Sequence, residues 1–280
     1  MKKICVIGAG TMGLDVAQVF AKKDFTVIVR DISDEINARA KGRMEASLAK
    51  LVSKGKMTQE EADKVVGAIT FTTKLEDAAD CDLVLEAVLE NLELKKEIFK
   101  TLDGICKPET IFATNTSSVS LTEIACVTSR PGQFIGMHFF NPAGVMKLVE
   151  VIRAATTSEE TFKTIYELAA FVGKDPVEVK EAPGFVVNRI LIPMINEAVC
   201  VLEEGIATAE DIDKAMKLGA NHPMGPLALS DLVGNDVVLN IMQTIFTETG
   251  DPKYRPARLL KTMVRSGKLG KKTGEGFFKY

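Results

Sequence analysis

The chain has 280 residues, of which 46% are hydrophobic and 26% are charged, and its formal net charge is -3. This is the composition of an ordinary globular protein, long enough for one large domain or two. Its lysines and arginines are spread among acidic residues, so we expect no nucleic-acid partner, and no stretch is apolar enough to predict membrane attachment by a spanning helix. The five cysteines are widely separated, with no histidine at a metal-ligand spacing. This pattern predicts no metal site and favours a reducing cytoplasm.

Apolar runs that favour β-strands alternate with helical patterns through the first two thirds of the chain. Such alternation predicts an α/β fold with a mostly parallel sheet covered on both faces by helices. The six predicted strands are KICVIGA, TVIVRD, AITFTT, DLVLEAV, TIFATN and FIGMHFF. Between the second and third strands, residues 34 to 67 predict a helical arm that folds back near KGKMTQEEA. Thr58 and Glu61 have the spacing of a capping box at the start of its second helix.

From Phe185 onward the pattern is almost wholly helical, with breaks at EEGIATAED, GANHPMGPL and ETGDPKYRP. Because periodicity and composition change together, we predict a domain boundary near Pro183. The expected domains are an α/β domain of residues 1–182 and an all-α domain of residues 183–280.

The first predicted strand leads into Gly8, Gly10 and Gly13 at the spacing GxGxxG. Here the first glycine permits a tight turn, the second lets the backbone approach a pyrophosphate, and the third lets strand and helix pack closely. Asp31 ends the second strand, where a carboxylate can accept hydrogen bonds from an adenosine ribose and repel a 2'-phosphate. This favours NAD over NADP, although the adjacent Arg30 leaves NADP open. A glycine turn without a ligand is the structural alternative.

Polar residues stand at or just after the ends of four predicted strands: Asp31, Glu90, Asn115 with Ser117, and His138. Ligands of open α/β sheets bind beyond the carboxyl ends of the strands, so we expect these side chains to face one crevice. Each residue alone has a structural alternative as a cap or turn residue. Their joint placement favours a functional site.

His138 lies in the apolar run GMHFF, and Glu150 follows it twelve residues later. The intervening NPAG is a strong turn signal, so the two flanking runs predict an antiparallel hairpin. If the bend centres on Gly144, positions 138 and 150 are directly opposed, with Cβ atoms about 4.5 to 5.5 Å apart. The carboxylate would then orient the imidazole, whose other nitrogen can exchange a proton with a substrate. A histidine bonded only to backbone is the structural alternative.

Seven segments together carry a resemblance to a known family: VIGAGTMG, RDI, ATNTSS, GMHFFNP, VMKLVEVI, EAPGFVVNRILIPMINEA and DIDKAMKLGANHPMGPL. Across essentially its full length the chain resembles the 3-hydroxyacyl-CoA dehydrogenases, including the free-standing bacterial 3-hydroxybutyryl-CoA dehydrogenases. The resemblance implies a Rossmann-type domain that binds NAD, followed by a helical substrate and dimerisation domain. It also implies a homodimer. The implied reaction interconverts (S)-3-hydroxybutyryl-CoA, or another short-chain L-3-hydroxyacyl-CoA, with acetoacetyl-CoA or the matching 3-ketoacyl-CoA, in fatty acid and butyrate metabolism.

By motif match, the resemblance implies that His138 is the general acid/base and Glu150 its partner. Ser117 would bond to the substrate oxygen, and Asn188 would orient the substrate. The cofactor-side positions, from the glycine motif and from the family, are Gly8, Gly10, Thr11, Met12, Gly13, Asp31, Glu90, Lys95 and Asn115.

Two lysines are candidates for the acyl carrier. Lys50 and Lys54 share one predicted helical face in SLAKLVSKGK, with Lys56 just beyond. Lysines at this spacing usually form only a solvated face, but the resemblance favours contact with the phosphates of coenzyme A.

Two departures from the family pattern bear on the site. Leu14 and Asp15 stand where small residues are usual, and a carboxylate turned inward in the first helical turn would compete with pyrophosphate for the same amides. The turn NPAGVM also holds less proline than the family commonly has.

Two other functions remain open from the residues. One is a β-hydroxyacid dehydrogenase whose substrate carries no CoA, and the other is a dinucleotide-binding protein without catalysis. The joint retention of His138, Glu150, Ser117 and Asn188 argues against the second, because a noncatalytic fold needs no such set.

Overall fold

The computed structural model describes residues 1 to 280, and the chain divides into two compact units, Met1–Glu181 and Ala182–Tyr280. The first unit combines a sheet with helices, and the second is helical. None of the helices has both the length and the apolar character required to cross a membrane.

The first unit is built on one eight-stranded sheet in the order β3-β2-β1-β4-β5-β6-β7-β8. Only β6 and β7 pair antiparallel, and every other neighbouring pair is parallel. The strands are β1 Lys3–Ile7, β2 Thr26–Arg30, β3 Ile69–Thr72, β4 Leu83–Glu86, β5 Ile111–Thr114, β6 Phe134–Phe139, β7 Leu148–Arg153 and β8 Asp175–Lys180. The predicted mostly parallel sheet is confirmed. Its chain order reverses between β1 and β4, which is where ligands bind in doubly wound sheets.

Strand β8 had no counterpart among the predicted strands. Its sequence DPVEVK is polar at most positions, and only Val179 is buried. A strand at the edge of a sheet packs little apolar surface, so it lacks the continuous hydrophobic run that marks the central strands.

Six helices cover the sheet: α1 Thr11–Ala21, α2 Asp34–Ser53, α3 Gln59–Ala68, α4 Leu92–Ile105, α5 Leu121–Ala125 and α6 Glu159–Phe171. The predicted helical arm is the pair α2 and α3. The capping box is confirmed, because Thr58 Oγ1 accepts from the backbone N–H of Glu61 and the Glu61 carboxylate accepts from that of Thr58. Leu14 belongs to the apolar core of this unit and is 5% exposed.

The second unit contains α7 Val187–Glu203, α8 Ala209–Gly219, α9 Pro226–Val233, α10 Asn235–Thr249 and α11 Arg258–Arg265. The predicted helical character of this region is confirmed. The carboxylate of Asp213 accepts hydrogen bonds from the backbone N–H groups of Leu227 and Ala228, both at 2.9 Å, and so caps α9. Buried Asp231 binds the final residues of the chain, including the backbone N–H groups of Phe277 and Phe278.

Candidate active site

The glycine-rich loop joins β1 to α1 at the reversal point of the sheet. Gly8 has a φ of +108°, and a Cβ there would lie 2.5 Å from the carbonyl oxygen of Ala87. A Cβ on Gly13 would lie 1.9 Å from the carbonyl oxygen of Gly8. These contacts leave room only for glycine, as the spacing predicted.

The space in front of α1 fits a bound phosphate. Gly10 precedes the helix and supplies no side-chain cap to its amides, and a Cβ on Gly10 would meet nothing within 4 Å. The first turn, which contains Thr11 and Met12, carries no acidic residue. The exposed amides and the positive end of the helix dipole therefore face open space, which suits the pyrophosphate of a dinucleotide.

Asp31 follows β2 directly and sits against the glycine-rich loop. Its Oδ2 accepts from the backbone N–H of Ala9 at 2.6 Å, and its Oδ1 accepts from that of Ile32 at 2.7 Å. Arg30 turns toward the end of β3, where its Nε donates to the carbonyl of Thr73 at 3.1 Å. The Asp31 carboxylate therefore stands at the glycine-rich loop, while the Arg30 guanidinium is bonded to a backbone carbonyl at the end of β3.

Asp15, expected in the first turn of α1, lies beyond that turn and does not occupy the amides at the start of the helix. It is half-buried, and burial raises the pKa of its carboxyl. A hydrogen bond from the backbone of Ala143, together with the charges of Lys22 and Arg43, opposes that rise. No hydrogen bond joins the Asp15 carboxylate to the amides at the start of α1, so the phosphate-binding amides are left unblocked.

A buried ion-pair network stands behind the end of β4. Lys95 Nζ lies 2.6 Å from Glu86 Oε1 and 3.3 Å from Glu90 Oε2. Glu86 also accepts from the backbone N–H of Val88 at 2.7 Å and from Thr114 Oγ1 at 2.6 Å. The side chains of Lys95 and Glu86 are 1% and 0% exposed. Lys95 thus lies behind Glu90, bonded to both carboxylates.

The Glu90 carboxylate accepts several hydrogen bonds from the turn that follows β5. Its Oε1 accepts from Thr116 Oγ1 at 2.6 Å, from the backbone N–H and Oγ of Ser117 at 2.7 and 3.2 Å, and from the backbone N–H and Oγ of Ser118 at 2.9 and 3.0 Å. Burial raises the pKa of the Glu90 carboxyl. The charge of Lys95 and these hydrogen bonds lower that pKa by more, so it lies below its ordinary value. The carboxylate therefore stays ionised and fixes the position of Ser117.

Asn115 links the end of β5 to the end of β6. Its Oδ1 accepts from the backbone N–H of Phe139 at 2.8 Å, one residue beyond His138. Of the polar residues expected to face one crevice, the structure joins Glu90 to Ser117 and Asn115 to the backbone beside His138, whereas Asp31 bonds to the glycine-rich loop.

His138 and Glu150 are register partners in the antiparallel pair of β6 and β7. His138 Nδ1 lies 2.7 Å from Glu150 Oε2, and the two side chains are 8% and 1% exposed. The hairpin and the opposed pair predicted from the sequence are confirmed. A carboxylate at this distance accepts a hydrogen bond from Nδ1–H and so fixes the ring tautomer, in which Nε2 is the basic nitrogen.

The remaining predicted residues stand on other elements of the chain. Lys50 is exposed in the last turn of α2, and Lys54 is exposed at its C-cap. Asn188 lies in the first turn of α7, in the second unit, and is 9% exposed.

Sequence reasoning missed Glu86 and Thr114. Both are buried at the ends of strands and read as ordinary strand residues. The available signal was the occurrence of an acidic residue, Glu86, inside the apolar run DLVLEAV, since a buried carboxylate requires partners.

Comparison with known proteins agrees with this geometry. The family model for the NAD-binding domain of 3-hydroxyacyl-CoA dehydrogenase matches residues 3–182. The model for the C-terminal domain of the same enzymes matches residues 184–280.

Individual relatives span the whole chain. It is 52% identical over 278 residues to 3-hydroxybutyryl-CoA dehydrogenase of Clostridioides difficile, covering 99% of each chain. It is 51% identical over 280 residues to a probable 3-hydroxybutyryl-CoA dehydrogenase of Bacillus subtilis, covering 100% of this chain and 98% of the relative. The crystal structure of (S)-3-hydroxybutyryl-CoA dehydrogenase from Ralstonia eutropha matches with a TM-score of 0.97 and 48% identity, covering 100% of this chain and 99% of the other.

The fold, the glycine-rich loop and these matches define an NAD-dependent oxidoreductase that works by hydride transfer. The chain belongs to the 3-hydroxyacyl-CoA dehydrogenase family.

Proposed function

We propose that the protein interconverts (S)-3-hydroxybutyryl-CoA and acetoacetyl-CoA, with His138 as the general acid/base. The observation that carries the proposal is the buried contact between His138 Nδ1 and Glu150 Oε2 at 2.7 Å. Relatives that are named 3-hydroxybutyryl-CoA dehydrogenases support this substrate.

In the oxidation direction, His138 Nε2 accepts the proton of the substrate hydroxyl. Glu150 holds Nδ1–H and stabilises the imidazolium that forms, because an opposed carboxylate favours the charged ring. Bound NAD supplies the hydride acceptor. In reduction the same Nε2 returns the proton to the carbonyl oxygen as the alcohol forms.

Ser117 would turn its hydroxyl from Glu90 Oε1 toward the substrate and donate a hydrogen bond to the reacting oxygen. Its backbone N–H stays bonded to Glu90, so the turn that carries the hydroxyl keeps its position when charge develops on that oxygen. Asn188 would orient the substrate from α7. These two roles rest on the family motif.

The cofactor would be held by the loop at Gly8, Gly10 and Gly13, with Thr11 and Met12 in the first turn of α1. Asp31 would accept hydrogen bonds from the adenosine ribose. The ionised Glu90, the buried Lys95 behind it and Asn115 would shape the nicotinamide end. The cofactor is NAD, and the Asp31 carboxylate would repel the 2'-phosphate of NADP.

The acyl carrier would meet Lys50 and Lys54, whose exposed ammonium groups at the end of α2 suit the phosphates of coenzyme A. We further propose a cytoplasmic location, because all five cysteines are free thiols.

The test is an absorbance assay of the reduced nicotinamide with acetoacetyl-CoA, using NADH and NADPH in turn. We expect turnover with NADH that is lost when free acetoacetate replaces the thioester. Equal turnover of the free acid would favour a dehydrogenase whose substrate carries no CoA. Cofactor binding without any turnover would favour a noncatalytic protein.

We also propose that the protein is a homodimer associated through its second unit. Ile190, Ile206 and Leu218 are 68%, 67% and 77% exposed there. A cavity of about 410 Å³ beside α7 and α8 is lined by apolar residues such as Met194, Ala198, Val201, Ile212, Met216 and Pro226. Apolar surface of this kind is typical of subunit contacts, and two-fold dimers are the commonest assembly. A mass in solution matching the 30.4 kDa monomer at micromolar concentration would contradict the proposal.

A further inference from the structure

Arg43 reaches from the helical arm to the glycine-rich loop. It lies on α2, and its Nη2 donates to the carbonyl oxygen of Ala9 at 2.9 Å. Ala9 stands between Gly8 and Gly10, and its N–H is already bonded to Asp31. Both polar groups of this residue are therefore satisfied, and the guanidinium is held at the edge of the loop.

One hydrogen bond to Ala9 uses only part of the guanidinium. Arginine has five N–H donors in a planar fork, and this fork matches the oxygens of a phosphate. Arg39, one turn earlier on α2, lies 3.9 Å from Glu35 on its own helix. Arg43 instead contacts a neutral carbonyl, so its charge is not cancelled by the group it binds.

The charge of Arg43 also acts on the start of α1. Asp15 places a negative charge there, and Arg43 is among the groups that lower the pKa of that carboxyl against the effect of burial. A carboxylate near the loop disfavours an anionic ligand, and a cation bonded to the loop offsets it.

We propose that Arg43 binds the pyrophosphate of the dinucleotide and offsets the charge of Asp15. The phosphate lies against the amides of α1, and the free N–H groups of Arg43 close over it from α2. The Asp31 carboxylate stands beside Ala9 and would repel a 2'-phosphate, so the contact of Arg43 is with the pyrophosphate. The inference rests on dinucleotide binding and is independent of the acyl substrate and of His138.

The experiment measures dissociation constants of NADH and NADPH by fluorescence, and of ADP-ribose by calorimetry, for the wild type and three variants. Arg43→Gln removes the charge but keeps an amide donor, and Arg43→Lys keeps the charge. Arg39→Gln is the matched control on the same helix. We expect Arg43→Gln to weaken all three ligands about tenfold, the scale of one charge-assisted hydrogen bond. Arg43→Lys should stay within about threefold of the wild type, because lysine binds phosphate as a point charge. Arg39→Gln should bind as the wild type does.

Three outcomes overturn the proposal. Arg43→Gln could bind NADH within twofold of the wild type, or lose affinity for NADPH alone, which would assign Arg43 to a 2'-phosphate. Alternatively, Arg43→Lys could bind the three ligands as weakly as Arg43→Gln does, with the same fall in melting temperature in both variants. This result would show that Arg43 only supports the loop. A steeper salt dependence of ADP-ribose affinity in the wild type than in Arg43→Gln would add support.

Discussion

His138 and Glu150 face each other across the only antiparallel pair of the sheet, with Nδ1 and Oε2 2.7 Å apart. The strand pairing itself sets this contact, because directly opposed residues on one face have adjacent Cβ atoms. The backbone next to His138 is also held, since Phe139 N–H donates to Asn115. The imidazole is thus oriented by two neighbouring strands before any substrate binds.

Replacing His138 by glutamine should lower kcat by about 10² to 10⁴, the usual contribution of a general acid/base. The dissociation constant of NADH should change little, because the imidazole acts on the substrate proton. Steady-state kinetics and fluorescence titration measure the two quantities. His222→Gln, which alters the only other histidine of the chain, is the control and should keep most of its turnover. Retention of more than a tenth of wild-type kcat in His138→Gln would exclude the role.

Glu150→Gln should reduce kcat with little change in the dissociation constant of NADH, because an amide opposite Nδ1 neither fixes the ring tautomer nor balances the charge of the imidazolium that forms. Steady-state kinetics and fluorescence titration measure the two quantities. The control is Glu178→Gln on β8, whose half-exposed carboxylate pairs with Arg153 and should leave kcat unchanged. A wild-type kcat in Glu150→Gln would count against the pair.

Lys95→Met should destabilise the protein by about 3 to 5 kcal/mol, the cost of leaving a buried charge without its partner. Glu86 would keep only neutral donors in a site that is closed to solvent. Urea unfolding measures the change. Lys96→Met is the matched control at the next position, where the ammonium group pairs with the surface carboxylates of Glu93 and Glu123 and should matter far less. Similar midpoints for the two variants would contradict the network.

The lowered pKa of Glu90 predicts a loss of stability in acid. A carboxyl group whose pKa is lower in the folded state than in the unfolded state stabilises the fold at every pH above its unfolded pKa, which is about 4.3 for glutamate. This stabilisation is lost as the pH falls from that value through the pKa of the folded state. Unfolding free energy measured from pH 6 to pH 3 should therefore fall less steeply in Glu90→Gln than in the wild type. Parallel curves would show that Glu90 is not a source of the acid sensitivity.

Gly276→Ala should destabilise the second unit by several kcal/mol or prevent its folding. A Cβ at this position would lie 1.9 Å from Asp231 Oδ1, which accepts from Phe277 N–H and from Asn235 Nδ2. Thermal and urea unfolding test the change. Gly219→Ala is the control, because a Cβ there meets nothing within 4 Å and the residue lies in α8, where alanine is favoured over glycine. Equal stability of the two variants would be contrary to the expected clash.

Several features were accessible from the sequence because they depend on local pattern. The alternation of apolar runs and helical segments predicts the sheet, and the GxGxxG spacing after β1 predicts the loop, since both follow from the geometry of single elements. The opposed pair of His138 and Glu150 was also predictable, because a hairpin register depends only on where the turn is centred.

Only the tertiary structure shows which side chains from distant segments meet. The network of Lys95, Glu86 and Glu90 joins the end of β4 to α4, and the bond between Arg43 and Ala9 joins positions 34 residues apart. Whether Asp15 blocks the amides at the start of α1 was likewise undecided by sequence, because the direction of a helical side chain depends on its packing. Sequence spacing reports neighbours along one helix or strand, whereas contacts between elements depend on how their buried faces pack. The charges around the dinucleotide site are therefore a property of the packed fold.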